Sequence, residues 1–192
     1  AAGAALNEAV NIAPNDAATI AQRDTIEAAN NSGANTYNIT DSAANIAAGG
    51  NAKAATGGTV TANTAATAAQ AGTIAGFAKA VVYNVTDTSA ATAAAAGAAL
   101  NEAVNIAPND AATVAERDTI EAANNSGTNT YNITDTSANL AAAGNAKLAT
   151  GGTVTASDGA SSVQATTISG FAKAVVYGVS DTAANVVGVA GA

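Results

Sequence analysis

The feature that most constrains this chain is a long internal repeat. Gly3-Ala4-Ala5-Leu6-Asn7-Glu8-Ala9-Val10 returns as Gly97 to Val104, and the offset of 94 residues holds without a gap to the end of the sequence, with about three-quarters of the aligned positions identical. Self-similarity of this kind marks architectures in which each unit buries its apolar face against its neighbour. The chain therefore reads as two long repeats of four coils each, 1–94 and 95–188, with 189–192 opening a further repeat phase, all in one continuous array. Ala1 to Ala4, Ala95 to Ala98 and Val189 to Ala192 share one phase, as expected of a segment of a longer array or of a subunit that stacks end to end.

Inside each unit a shorter pattern recurs, apolar-x-apolar-x-Asp followed by an Ala-rich run. Its clearest copies are Tyr37 to Asp41, Tyr83 to Asp87, Tyr131 to Asp135 and Tyr177 to Asp181, with weaker ones at Val10-x-Ile12, Val60-x-Ala62, Val104-x-Ile106 and Val154-x-Ala156-x-Asp158. Alternation of apolar and polar residues predicts a strand, and an Asp before an Ala-rich segment predicts a capped helix. Aligned on this pattern the coils advance by 27, 23, 23 and 21 residues. That length fits one strand and one short helix, so the pattern predicts a right-handed α/β solenoid. It would have about eight coils, a parallel sheet on one face and short Ala-rich helices on the other. Leu140, Gly144 and Leu148 fall on one helical face, with Gly151-Gly152 as the stop. The Ala-rich run from Ala90 to Leu100 reads as a tight helix, not a membrane span.

Composition narrows the function classes. The chain has 14 acidic and 6 basic residues, a formal charge of −8, and no Cys, His, Met or Trp. Without a basic patch to neutralise phosphates, nucleic acid is not an expected partner. With no His or Cys, no phosphate-binding Gly-Lys motif and no nucleophile beside a base, enzymatic activity is not expected either. The cluster of Asp16, Asp24 and Glu27 with Arg23, repeated at Asp110, Glu116, Asp118 and Glu121 with Arg117, reads as a solvated helix surface with local ion pairing. No cofactor is implied; a ladder of carboxylates could hold Ca²⁺ only if backbone oxygens completed its shell.

The recurrent acids Asp41, Asp87, Asp135, Asp158 and Asp181, with Asp16 and Asp110 displaced beyond Pro14 and Pro108, read as helix caps, Thr64 standing where Asp158 does. The inward Tyr37, Tyr83, Tyr131 and Tyr177 read as core residues whose hydroxyls reach a partner at the rim. On the opposite strand face, Asn38, Thr40, Thr59, Thr61, Asn84, Thr86, Asn132, Thr134, Thr153 and Thr155 would form a polar ladder able to contact ice, a glycan or another surface. The plainer reading is ordinary outward β-residues, since Thr favours strands.

Asn38-Ile39-Thr40-Asp41-Ser42-Ala43-Ala44-Asn45-Ile46 and Val179-Ser180-Asp181-Thr182-Ala183-Ala184-Asn185-Val186 resemble the V-S-D-T-A-A-N-[IL] repeats of very large secreted bacterial surface proteins and adhesins. That resemblance implies an extracellular or cell-surface protein, and a structural repeat module of a surface, matrix or filament protein. Its partners would be further repeats or copies of itself, associating end to end or laterally. The Val10 and Val104 coils, with Pro after the strand, depart from the pattern.

Overall fold

A computed structural model describes residues 2–54, 57–148 and 151–190. Of the expected further repeat phase at 189–192, Gly191 and Ala192 lie outside the described residues. The 94-residue offset governs the elements as it does the sequence. The strands are β1 (Ile39–Asp41), β2 (Val60–Ala62) and β3 (Val81–Val82) in the first half, and β4 (Ile133–Asp135), β5 (Val154–Ala160) and β6 (Val175–Val179) in the second. The helices are α1 (Ala2–Asn7), α2 (Ile20–Glu27), α3 (Ala43–Ala54), α4 (Ala68–Ala75), α5 (Ser89–Ala94), α6 (Ala98–Asn101), α7 (Val114–Glu121), α8 (Ser137–Lys147), α9 (Ser162–Ser169) and α10 (Ala183–Ala190).

This architecture corrects the expected eight-coil solenoid with one sheet along its face. The strands form two separate three-stranded parallel sheets, ordered β1-β2-β3 and β4-β5-β6, in a mixed α/β chain. Two features mark the difference. First, pairing follows a 21-residue step, Ile39 with Val60 and Val60 with Val81, so the third strand is Val81–Val82 rather than the Tyr83 segment. Val81, Tyr83 and Val85 all point inward, so a slip of two residues keeps the same face buried, and alternation alone does not distinguish the registers. Second, the Val104 segment makes no named strand, only isolated bridges from Ile106 to Val85 and to Asn129. There the Asn84 side chain takes the Asn105 N–H at 3.1 Å, as Asn38 takes that of Thr59 beside β2, while the N–H groups of Val85, Ala107 and Asn109 keep backbone bonds across the same junction. The Val10 segment likewise makes no strand.

Helix starts have local causes. α2, α4, α7 and α9 open with reciprocal capping boxes, Thr19 with Gln22, Thr67 with Gln70, Thr113 with Glu116 and Ser161 with Gln164. Interruptions follow glycine. Gly50 and Gly144, at φ 73° and 74°, break α3 and α8, a backbone conformation that costs residues with a Cβ. The helical face expected from Leu140 through Gly144 to Leu148 is therefore bent, yet both leucines are fully buried. The helix ends at Lys147, before Gly151. The run from Ala90 to Leu100 is likewise two short helices, α5 and α6, parted at Gly97.

One hydrophobic cluster, including Ile39, Val60, Tyr83, Leu100, Ile106, Ile133 and Leu148, passes through both halves. Helices pack on their successors, α2 on α3, α3 on α4, α7 on α8 and α8 on α9. No described helix is long and apolar enough to cross a membrane.

Candidate functional site

The recurrent Asp residues act at helix starts, but across the chain rather than on the helix that follows them. Asp41 closes β1, and its Oδ2 accepts the N–H of Ile20, first residue of α2, at 2.9 Å. Its Oδ1 accepts the N–H of Ser42 and the Asn45 amide, both at 2.8 Å. Asp135 repeats this with Val114 at 2.9 Å, Thr136 at 2.7 Å and Asn139 at 2.8 Å. Asp181 does so with Ser162, Thr182 and Asn185. Asp87 takes the first N–H of α4 at Ala68, Asp110 that of α5 at Ser89, and Asp158 that of α8 at Ser137. Thr64, in the place of Asp158, takes that of α3 at Ala43 through its hydroxyl at 3.0 Å.

Every one of α2, α3, α4, α5, α7, α8 and α9 thus has its first N–H held by a side chain from the segment about one step later. Such an N–H has no partner within its own helix, and a carboxylate there also meets the positive end of the helix dipole. Asp16 alone among the acids read as caps has no hydrogen-bond partner among the described residues. At α3, α5, α8 and α10 the residue that caps its own helix stands one position after the Asp: Thr88 and Thr136 are the N-caps of α5 and α8, and Ser42 and Thr182 accept from Asn45 and Asn185. Sequence reasoning missed this division of labour. Its signal is the spacing Asp-[Ser/Thr]-x-x-Asn at 41–45, 135–139 and 181–185.

The polar ladder divides into two sets. Asn38 and Asn132 are turned to the chain itself, each Oδ1 accepting the backbone N–H and the hydroxyl of Thr59 or Thr153 at 2.9 and 3.1 Å. Asn84 holds Asn105 in the same way, and Thr86 donates to the Ala107 carbonyl. The remaining four hydroxyls, on Thr40, Thr61, Thr134 and Thr155, make no side-chain hydrogen bond among the described residues. Thr40 lies beside Thr61 and Thr134 beside Thr155, and the next place in each row is an exposed valine, Val82 or Val176.

Electrostatics bind segments together. Burial raises the Asp41 pKa, but hydrogen bonds from Asn45, Ile20 and Ser42 outweigh it and hold the carboxyl below its ordinary value. The Ser162 N–H, with Asn185 and Thr182, lowers Asp181 to about 2, and Ser137 lowers Asp158. Lys53 and Lys147 pair with Asp24 and Asp118 and lower their pKa values, with further help from Arg23 and Arg117. Burial raises Tyr37 and Tyr83 to about 12; Tyr37 donates to Glu27 at 2.6 Å and Tyr83 to the Ala99 carbonyl at 2.8 Å. Tyr131 is raised by burial and by its bond to Glu121. An open groove lined by Glu27, Asn35, Asn51 and Lys79 therefore contains a carboxylate already engaged by a phenol.

Among the described residues no group of three or more His, Cys, Asp or Glu could hold a metal ion. No family model, curated protein or solved structure matches the chain.

Proposed function

We propose that this chain is a non-enzymatic structural repeat module of a long extracellular surface, matrix or filament protein, whose partners are further repeats or copies of itself. The observation that carries the reading is the use of its polar side chains. Seven helix starts are held by side chains from a later segment, and three outward Asn residues hold neighbouring backbone. Acids spent in this way are stabilising ties, not a pair poised for proton transfer. The same engagement argues against calcium, so a chelator is expected to leave the melting temperature unchanged. An acidic balance of 14 to 6 argues against nucleic acid.

A second reading, a binding module for ice, glycan or another surface, draws on the free hydroxyls of Thr40, Thr61, Thr134 and Thr155. One experiment separates the two. Bulky substitutions at Thr40, Thr61, Thr134 and Thr155 are followed by ice-recrystallisation and glycan-array assays and by electron microscopy of the particles. The structural reading predicts no binding to lose. Binding by the unaltered chain that vanishes in the variant, with assembly intact, would sink it.

A further inference from the structure

One row on the outward side of each sheet takes no part in the side-chain ties that hold the chain together. Thr40, Thr61 and Val82 stand side by side across β1, β2 and β3, and Thr134, Thr155 and Val176 repeat the row across β4, β5 and β6. The four hydroxyls make no side-chain hydrogen bond among the described residues, and Val82 and Val176 are 50% and 64% exposed. This exposure belongs to the interior of the array. Val81 pairs with Val60 on one side and Val85 bridges to Ile106 on the other, so the Val82 segment has neighbours along both edges, and an adjoining repeat would not reach its outward side.

The chemistry of these rows selects their partner. None of the 14 acidic and 6 basic residues stands in them, or in the flanking row of Asn38 and Thr59 with its copy at Asn132 and Thr153, whereas Asp24, Glu27, Asp118 and Glu121 lie on helices. No aromatic ring stands there either; Tyr37, Tyr83 and Tyr131 are buried. The rows therefore offer a charged partner no countercharge and a sugar no ring to stack on. What they offer is a match to themselves. A hydroxyl both donates and accepts, valine packs on valine, and a two-fold contact sets one patch against the same patch. Two chains of formal charge −8 meeting through their helices would bring acidic surfaces together, but through these rows they meet without charge.

We infer that the outward faces of the two sheets pack against those of a second copy of this chain, in a lateral two-fold dimer. At about 4.8 Å between strands and about 6.6 Å between outward neighbours on one strand, two rows carried over both sheets and the segments between them cover roughly 500 Å² per copy. That is about 1,000 Å² for a pair, the size at which a specific but weak contact begins. Short Thr, Val and Asn side chains suit the separation of about 10 Å at which sheets stack. The inference rests on the structural-module reading and names its partner and contact. Because the rows run alongside the repeats, each further repeat would enlarge the interface.

Sedimentation velocity over a concentration series tests this on the full chain. Val82→Asp combined with Val176→Asp, and Val82→Lys combined with Val176→Lys, each set like charges against one another across the dimer, and each double variant is expected to weaken self-association by about 100-fold. Both valines are exposed in the single chain, so its thermal melt is expected to change little. Mixed in equal amounts, the acidic and basic variants are expected to form a heterodimer. Val163→Asp, at a position 75% exposed on α9, behaves as the unaltered chain. An unaltered chain that stays monomeric, double variants that dimerise alone, or a mixture that stays monomeric would overturn the interface. A monomer whose ice or glycan binding is lost in the acidic variant would assign the rows to that ligand and sink the structural reading as well, whereas a monomer that binds neither overturns the dimer alone.

Discussion

Removing one tie measures what the cross-chain capping is worth. Asp135 is 9% exposed and accepts three hydrogen bonds, from Val114 N–H, Thr136 N–H and the Asn139 amide. A hydrogen bond to a charged group contributes about 1.5–3 kcal/mol, and part of the loss is recovered where water reaches the helix start, so Asp135→Ala is expected to cost ~4 kcal/mol. For a chain of this size that lowers the melting temperature by roughly 8–16 °C. Asp135→Asn keeps one oxygen but turns an NH₂ group toward a donor, and is expected to cost ~2–3 kcal/mol. Asp16→Ala, which removes a carboxylate without a partner among the described residues, is expected to cost less than ~0.5 kcal/mol. Urea unfolding followed by far-UV circular dichroism gives all three values. The reasoning is refuted if Asp135→Ala and Asp16→Ala fall within about 0.5 kcal/mol of each other.

Three further outcomes follow from packing and charge. Gly152→Ala would place a Cβ 2.2 Å from the Tyr131 carbonyl oxygen and is expected to destabilise by more than ~2 kcal/mol, whereas Gly72→Ala, in open space inside α4, is expected to stabilise by ~0.5–1 kcal/mol; thermal melts decide both signs. Thr92 carries a fully buried hydroxyl without a hydrogen-bond partner among the described residues, and the equivalent place in the second half is Val186, so Thr92→Val is expected to raise stability by ~1 kcal/mol in urea titrations. The pH dependence has two edges. Asp41, Asp158 and Asp181 titrate lower folded than unfolded, so their contribution is present above the unfolded value near pH ~4 and is lost as pH falls toward about 2, the Asp181 value. Tyr37 and Tyr83 titrate higher folded than unfolded, so their contribution is present below pH ~10 and is lost as pH rises toward about 12. Melting temperatures across pH locate both edges.

The repeat was legible because identity at a fixed offset needs no physics to read, and β1 with β4 and α2 with α7 occupy matching places 94 residues apart. The alternation around Tyr37 and Tyr131 marked the buried face correctly, since Tyr37, Ile39, Tyr131 and Ile133 are all buried. Register was not legible. Tyr83 looks like Tyr37, but Val81 is the residue that pairs with Val60, and both fit the same inward face. Nor could composition distinguish a sheet along the whole chain from two short ones, because the Val104 segment carries the same alternation as the strands and yet forms only isolated bridges. At the candidate site the acids were found and their targets were not. A carboxylate before an Ala-rich run looks like a cap for that run, and only three-dimensional proximity reveals that its second oxygen serves a helix about 20 residues earlier.

Amide hydrogen exchange read residue by residue tests the central claim most directly. If side chains from a later segment hold the helix starts, the N–H groups of Ile20, Ala43, Ala68, Ser89, Val114, Ser137 and Ser162 are protected in dilute solution. That of Ala183, which no side chain holds among the described residues, exchanges freely and is the internal reference. First N–H groups of helices that exchange as fast as Ala183 would contradict the account.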